Sequence, residues 1–583
     1  MKKLMLGNEA VARGVFEAGV TVVSSYPGTP STEITEAISK YDEIYSEWAP
    51  NEKVALEVAS GAAIAGARAF SAMKHVGLNV AADPLFTMSY IGSNGGLVVA
   101  VADDPGMHSS QNEQDSRHYA RASKTVMLEP ADSQEAKDYT IKAFEISEQF
   151  DTPVLVRLST RISHSQSLVE IGERQDVPLK EYTCNPSKNV MMPAMGRKRH
   201  VIVEERMKAL QKFSNESGIN SIEIKDQSLG IISSGIAYQY AKEVFPEASF
   251  LKIGMAYPLP DHLIDEFASK VHKIVVIEEL DPFIEEHCKS LGIQVTGKNK
   301  LPLCGEYSAD LLGENLLGTK KGTYSLNEEI LPVRPPVMCA GCPHRGLFYA
   351  VNRLKLIVTG DIGCYTLGAL PPLNALDTCI CMGAGFTAAH GFNKARGNEF
   401  AKKVIGVMGD STFTHSGMTG LVDIVYNKGV STVLILDNSI TGMTGHQNNP
   451  VNGFTIKGEP TKQVDLEKLA YAIGFERVRV IDPFDVDNTI KVLREETKTD
   501  EPSMIIVQRP CALLKSVKYS GCTSVDYDKC RRCMQCMNIG CPSISNVDDK
   551  ITIDETLCVG CGLCNNVCKF GAMTVKEDCK VEY

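Results

Sequence analysis

Eight cysteines near the C-terminus are spaced as metal ligands. Cys530-x2-Cys533-x2-Cys536-x4-Cys541-Pro542 is followed by Cys558-x2-Cys561-x2-Cys564-x3-Cys568, close to the doubled run that binds two [4Fe–4S] clusters. In such runs each triplet surrounds one cluster and the fourth thiolate comes from the other half. The pattern predicts Cys530, Cys533, Cys536 and Cys568 on one cluster, and Cys541, Cys558, Cys561 and Cys564 on the other. Zinc is the competing metal, but zinc sites seldom repeat a three-cysteine run, and the segment has no histidine. Four residues precede Cys541 where three are usual, and Lys569 stands where proline is usual; neither change removes a ligand. Cys522 and Cys579 read as spare thiols, and 550–554 as an edge strand of a small ferredoxin-like fold.

A second constellation lies upstream. The apolar runs Val404–Met408 and Thr432–Leu436 read as buried strands, ending in Gly409-Asp410-Ser411 and Asp437-Asn438. The crossover 416–428 has helix length and spacing, so both ends reach the carboxyl edge of a parallel sheet, where α/β folds bind ligands. This resembles the diphosphate–magnesium motif of thiamine enzymes, usually GDG followed by NN, with Ser411 and Asp437 as departures. The resemblance implies that Asp410, the Asn438 side chain and the Ile440 carbonyl hold Mg2+, which clamps the diphosphate; oxygen donors suit that ion. Gly383 and Gly385, ahead of a helix expected over 386–393, could offer N–H groups to a phosphate, and Gly409 is expected with them among the cofactor-binding residues. Tight helix–strand packing is the other reading of the two upstream glycines.

The first half reads as a partner α/β domain. Thiamine enzymes activate the cofactor through a glutamate from a second domain, and 51–67 is a small-residue helix with two candidates, Glu52 and Glu57. By resemblance to pyruvate:ferredoxin oxidoreductases, Glu57 is expected in that role, with Glu52 a first-turn acid. The strand Thr21–Ser24 opens into a loop, YPGTPSTE, that resembles the YPxTP loop of 2-oxoacid:ferredoxin oxidoreductases. There the threonine contacts the substrate carboxylate, which points to Thr29. In the polar run 108–117, Arg117 is expected either to pair with a carboxylate of the substrate or to stabilise the loop through Asp115.

Three further motifs recur around the thiamine segment: CAGCPHR at 339–345, GDIGCY at 360–365 and RPC at 509–511. In related oxidoreductases such cysteines bind a cluster near the cofactor, which implies a third, proximal [4Fe–4S] cluster on Cys339, Cys342, Cys364 and Cys511. Cys379 and Cys381 are expected in the core. The whole chain resembles the α subunits of indolepyruvate ferredoxin oxidoreductases. That resemblance implies oxidative decarboxylation of an arylpyruvate with coenzyme A as acyl acceptor and soluble ferredoxin as electron acceptor. It also implies a hetero-oligomer with a smaller β subunit, two of each being one possibility. The rival readings are another 2-oxoacid as substrate, a non-oxidative thiamine decarboxylase, and an electron-transfer subunit with a degenerate thiamine fold.

Elements and bulk properties fit this plan. With 583 residues, several cores are required. The expected fold class is multidomain α/β: a pyrimidine-binding domain (1–175), a middle transketolase-C-terminal-like domain (195–310), a diphosphate-binding domain (335–515) reached through a Pro-rich link at 331–336, and an α+β ferredoxin-like domain (520–583). A strand-turn at 229–235 and a strand at 273–278 belong to the middle domain. The net charge of -11 argues against a nucleic-acid or anionic-membrane partner. No apolar run is long enough to span a bilayer, and the N-terminal apolar stretch stops at Gly7-Asn8-Glu9. The expected location is the cytoplasm, with oxygen-sensitive metal sites accounting for the cysteines.

Overall fold

The computed structural model describes residues 1–319, 336–519 and 521–576. The chain forms two compact units, Met1–Leu326 and Asn327–Tyr583.

In the first unit, every residue of Ala69–Lys74 and Leu97–Asp103 is buried. Such unbroken runs, rich in Val and Ala, suit the centre of a parallel sheet covered on both faces. They lie in a seven-stranded sheet of order Met255–Tyr257, Val126–Leu128, Val154–Ser159, Leu97–Asp103, Ala69–Lys74, Val22–Ser25 and Tyr45–Trp48. Every pairing is parallel except that of the Met255–Tyr257 edge, which is antiparallel. The turn after Ser25, the end of Lys74 and Asp103-Asp104 therefore emerge on one carboxyl edge. A four-stranded sheet, Ile274–Ile277, Asp226–Ser234, Ala248–Ile253 and Ser221–Glu223, forms the middle layer and contains the strands expected near 229 and 273. The N-terminal Lys2–Leu6 pairs antiparallel with Gln166–Glu170.

The second unit holds a six-stranded parallel sheet, ordered Thr378–Cys379, Ile357–Gly360, Val404–Gly409, Thr432–Asp437, Ser503–Gln508 and Arg477–Ile481. The expected crossover helix is Met418–Tyr426. Two antiparallel strand pairs follow, the hairpin of Ile544–Val547 with Lys550–Ile553 and the pairing of Cys522–Val525 with Met573–Lys576. Ile544, Ile551 and Met573 of these strands, with Leu563 of the short helix Leu563–Val567, join the same core as Leu347, Phe348 and Val507 of the parallel sheet layer. Burial in one continuous core ties the cysteine-rich segment to that sheet. Most of the Pro-rich link, and Cys579, lie outside the described residues. Cys522, expected to be a spare thiol, is disulfide-bonded. Cys379 and Cys381, expected in the core, are exposed. Among the described residues no helix is long and apolar enough to cross a membrane.

Candidate functional site

Strands Val404–Gly409 and Thr432–Asp437 run side by side with Gly409 opposite Leu436, so Asp410 and Asn438 leave the sheet together. Asp410 is buried; one carboxylate oxygen accepts from the Ser411 N–H at 2.8 Å and the other from the Asn449 amide at 3.5 Å. Burial first, and Asp437 next, raise the Asp410 carboxyl to about 8. The Asn438 side-chain oxygen accepts from the Ile440 N–H at 3.3 Å, and Thr441 Oγ1 donates to Ser411 Oγ at 2.9 Å and receives the Asn449 amide at 3.4 Å. This is a cluster of hard oxygen donors round a buried acid, a donor set that fits Mg2+. Thr441 and Asn449 were not anticipated; Asn449 ends the polar run 444–449, TGHQNN, and Thr441 precedes it, but neither carries a motif or a period of its own.

Asp361 organises the other side of this edge. Fully buried and raised to about 7 by burial, it accepts from the Gly383 N–H at 2.9 Å and from the Tyr365 hydroxyl, which in turn accepts from the Gly409 N–H at 2.9 Å. The Gly383 and Gly409 amides are thus engaged by protein groups. Gly383 has φ +88° and begins helix Ala384–Arg396; a side chain there would collide with Ser416. A methyl at Gly385 would run into the Val407 carbonyl, so close helix–strand packing explains that glycine.

Cysteines from three loops surround the same edge. The Cys511 N–H donates to the Asn438 carbonyl at 2.9 Å, and a methyl built on Gly442 would lie 3.5 Å from Cys364 Sγ and 3.7 Å from Asn438 Nδ2. Burial raises the Cys342 thiol to about 12, with Cys339 and Cys364 adding to it. It raises Cys364 to about 11, with Cys511 and Cys339 adding to that. Cys511 is raised by burial, then by Cys339 and Asp410. The structure therefore brings Cys339, Cys342, Cys364 and Cys511 into mutual electrostatic reach beside Asp410.

Further along the unit, a small cavity is lined by Cys530, Cys533, Cys536 and Cys568. Another is lined by Cys541, Cys558, Cys561 and Cys564, together with Ala340, Gly341 and Arg345 of the CAGCPHR loop. Burial raises Cys536 to about 11, with Cys533, Cys568 and Cys530 as its thiol neighbours; it raises Cys564 to about 12, with Cys561, Cys541 and Cys558 as its neighbours. Each cavity offers four sulfur donors, the chemistry that an iron–sulfur cluster needs.

In the first unit, Thr29 sits half-buried in a turn braced by Ser31 Oγ donating to the Gly28 carbonyl at 2.8 Å and by the Asn8 amide donating to the Pro30 carbonyl at 2.7 Å. Helix Glu52–Ile64 is capped by Asn51, whose side chain accepts from the Val54 N–H at 2.9 Å. Glu57 lies on the outer face of this helix, its side chain 45% exposed and paired with Lys53. Glu52 is buried at 4% exposure, packed over Gly77 and acting on the Lys74 ammonium. The acid placed in a protein interior is Glu52, whereas Glu57, the one expected in the activating role, is exposed. Of the two roles expected for Arg117, the structure shows the pairing with Asp115 and not the substrate contact. Arg117 is fully buried; it donates to Asp115 at 2.5 Å, to Glu278 at 2.5 Å, and to the carbonyls of Glu279 and Asp281 at 3.0 Å. Burial alone would raise the Asp115 carboxyl, yet Arg117 and Arg157 hold it well below the usual range. Every arm of Arg117 is used in joining the 103–117 segment to the middle layer, so it is not available to a substrate carboxylate.

Three family models match the chain: pyruvate flavodoxin/ferredoxin oxidoreductase, thiamine diP-bdg, over residues 13–221; thiamine pyrophosphate enzyme, C-terminal TPP binding domain, over 361–507; and 4Fe-4S binding domain over 551–574. Indolepyruvate oxidoreductase subunit IorA of Archaeoglobus fulgidus is 41% identical, the alignment covering 97% of this chain and 96% of that one. The proteins of the same description from Methanothermobacter marburgensis and Pyrococcus horikoshii are 39% and 38% identical, each over 98% of this chain and 96% of their own. The chain belongs to the indolepyruvate oxidoreductase subunit IorA family. It is an oxidoreductase that acts on 2-oxoacids with an iron–sulfur acceptor, and it uses thiamine diphosphate and iron–sulfur centres. Within this IorA-family chain the thiamine matches span both Glu52 and Asp410, and the 4Fe-4S match spans Cys558, Cys561, Cys564 and Cys568.

Proposed function

We propose that the chain is the larger subunit of an arylpyruvate oxidoreductase, converting indolepyruvate, coenzyme A and oxidised ferredoxin to indoleacetyl-CoA, CO2 and reduced ferredoxin, two electrons leaving one at a time. The observation that supports this most is the adjacency of Cys364 and Cys511 to the Asp410–Asn438 edge. An electron-accepting site beside a thiamine site separates oxidative from non-oxidative decarboxylation.

Thiamine diphosphate, when bound, would supply the nucleophilic carbon and the electron sink that decarboxylation of a 2-oxoacid needs. Asp410, Asn438 and the Ile440 carbonyl would hold Mg2+ against the diphosphate, with Ser411, Thr441 and Asn449 fixing the acid. Glu52, rather than Glu57, would hold the proton at the aminopyrimidine ring: it is the buried acid of its helix. Thr29 would donate its hydroxyl to the substrate. Cys339, Cys342, Cys364 and Cys511 would carry the proximal cluster, Cys541, Cys558, Cys561 and Cys564 the next, and Cys530, Cys533, Cys536 and Cys568 the last before ferredoxin. The cavity walls support that order: the middle set shares its cavity with the CAGCPHR loop.

Four domains at 1–175, 195–310, 335–515 and 520–583 remain our division of the chain. A smaller β subunit completes the enzyme, and thiol ligands of this number suit the reducing cytoplasm. The test is anaerobic co-expression with that subunit and ferredoxin reduction assayed with indolepyruvate, phenylpyruvate and pyruvate. Arylpyruvates are expected to be preferred; a preference for pyruvate would reject the substrate assignment and leave the reaction class intact.

A further inference from the structure

Arg345 occupies the first turn of helix His344–Leu354, three residues past Cys342. Its side chain is buried, and each guanidinium nitrogen donates to a backbone carbonyl. Nε reaches Cys339 at 2.9 Å, Nη2 reaches Met338, and Nη1 reaches Ile539 at 3.1 Å and Gly540. Met338 and Cys339 belong to the loop that presents Cys339 and Cys342. Ile539 and Gly540 belong to the turn that presents Cys541. One side chain therefore pins two cysteine-bearing loops together.

Its charge is balanced in an unusual way. A buried arginine ordinarily takes a carboxylate partner; the partners of Arg345 are carbonyls, which satisfy its donors and leave its charge in place. Burial lowers its pKa, and the groups that act in the opposite sense are the thiols of Cys541, Cys342, Cys339 and Cys561. Arg345 also lines the cavity enclosed by Cys541, Cys558, Cys561 and Cys564. In so poor a dielectric, a cation favours the more negative, reduced state of a neighbouring cluster.

We propose that Arg345 is a positioning residue for the electron relay: it fixes the Cys339–Cys342 loop to the Cys541 turn, and its charge raises the reduction potential of the cluster held by Cys541, Cys558, Cys561 and Cys564. This rests on the reading that those four thiols hold a cluster. The transfer it favours moves single electrons, derived from the 2-oxoacid and bound for ferredoxin, from the site at Cys339, Cys342, Cys364 and Cys511 to this one. The first site is oxidised and the second reduced by one electron, with no bond made and no proton moved.

The test uses the anaerobically purified complex carrying Arg345→Gln, Arg345→Lys or Ala340→Asp, with iron content and a redox titration followed by electron paramagnetic resonance. The signal of the cluster in question is identified by its loss in Cys558→Ser. Arg345→Gln is expected to lower that midpoint, and Arg345→Lys to hold it near the parent. Ala340→Asp keeps the guanidinium and its carbonyl contacts but adds a negative charge to the same cavity, and is expected to lower the midpoint as well. If Arg345→Gln loses iron, the Ala340→Asp midpoint decides. Unchanged midpoints with full iron content overturn the role of Arg345 alone, whereas a parent enzyme with no signal sensitive to Cys558→Ser overturns the underlying cluster reading along with it.

Discussion

Asp410 and Asp437 end neighbouring parallel strands, and the charge of Asp437 helps to keep the buried Asp410 carboxyl protonated. With a pKa raised to about 8 by burial and by Asp437, Asp410 is costly to ionise in the metal-free fold. The sign follows from linkage: the unfolded acid ionises near its ordinary value, so the metal-free fold loses stability as pH rises from there toward 8 and then levels off. A divalent cation favours the ionised form and must displace a proton below pH 8. The gain in Tm from Mg2+ with thiamine diphosphate is therefore expected to grow between pH 6.5 and 8, and Asp410→Asn to abolish both the gain and its pH dependence. Calorimetry or dye-binding melts at the two pH values measure it; equal gains would show that Asp410 is not the ligand.

Glu52→Gln and Glu57→Gln separate the two acids of one helix. Removing a proton-handling group typically costs about 10²- to 10⁴-fold in rate, so Glu52→Gln is expected to lower kcat by at least about 100-fold with thiamine diphosphate still bound. Glu57→Gln removes only an exposed pair with Lys53, which solvent screens, and is expected to leave turnover and Tm near the parent. Steady-state ferredoxin reduction with cofactor content decides; the reverse ranking would restore Glu57.

Arg117→Ala should act on stability before catalysis. It would strand Asp115 and Glu278 as buried acids, and breaking such a pair costs about 3–5 kcal/mol. A lowered denaturant midpoint is expected, with KM for the oxoacid unchanged in whatever protein remains folded. A raised KM at unchanged stability would return Arg117 to the substrate.

The placements of Glu57 and Arg117 were not equally legible. For the helix at 52–64 the information was in the sequence: Glu52 falls in 3.6-residue register with the buried Ala55, Leu56, Ala59 and Ala63, whereas Glu57 falls in register with Lys53 and Gly61. The small residues of this helix do not tell the two acids apart; their phase does. For Arg117 no periodicity could help, since Glu278 lies 161 residues away and only the tertiary fold brings it near. The sheets that carry the Asp410 edge were legible because Val404–Gly409 and Thr432–Asp437 are unbroken apolar runs. Thr441 and Asn449 were not, because a polar loop without periodicity gives no hint of which side chain turns inward.

Cys568→Ser tests the crossed pairing of the tail, the relationship that spacing implies and that the two cavities accommodate. Cys568 is three residues beyond Asn565 in the second run, yet its neighbours are Cys530, Cys533 and Cys536 of the first. Its loss should therefore abolish the same paramagnetic signal as Cys530→Ser, while Cys541→Ser should match Cys558→Ser. Each variant is expected to lose about four irons, one cluster's worth. If Cys568→Ser instead reproduced the spectrum of Cys564→Ser, each run would bind its own cluster. The middle site, the one sharing its cavity with Arg345, would then need a different fourth ligand.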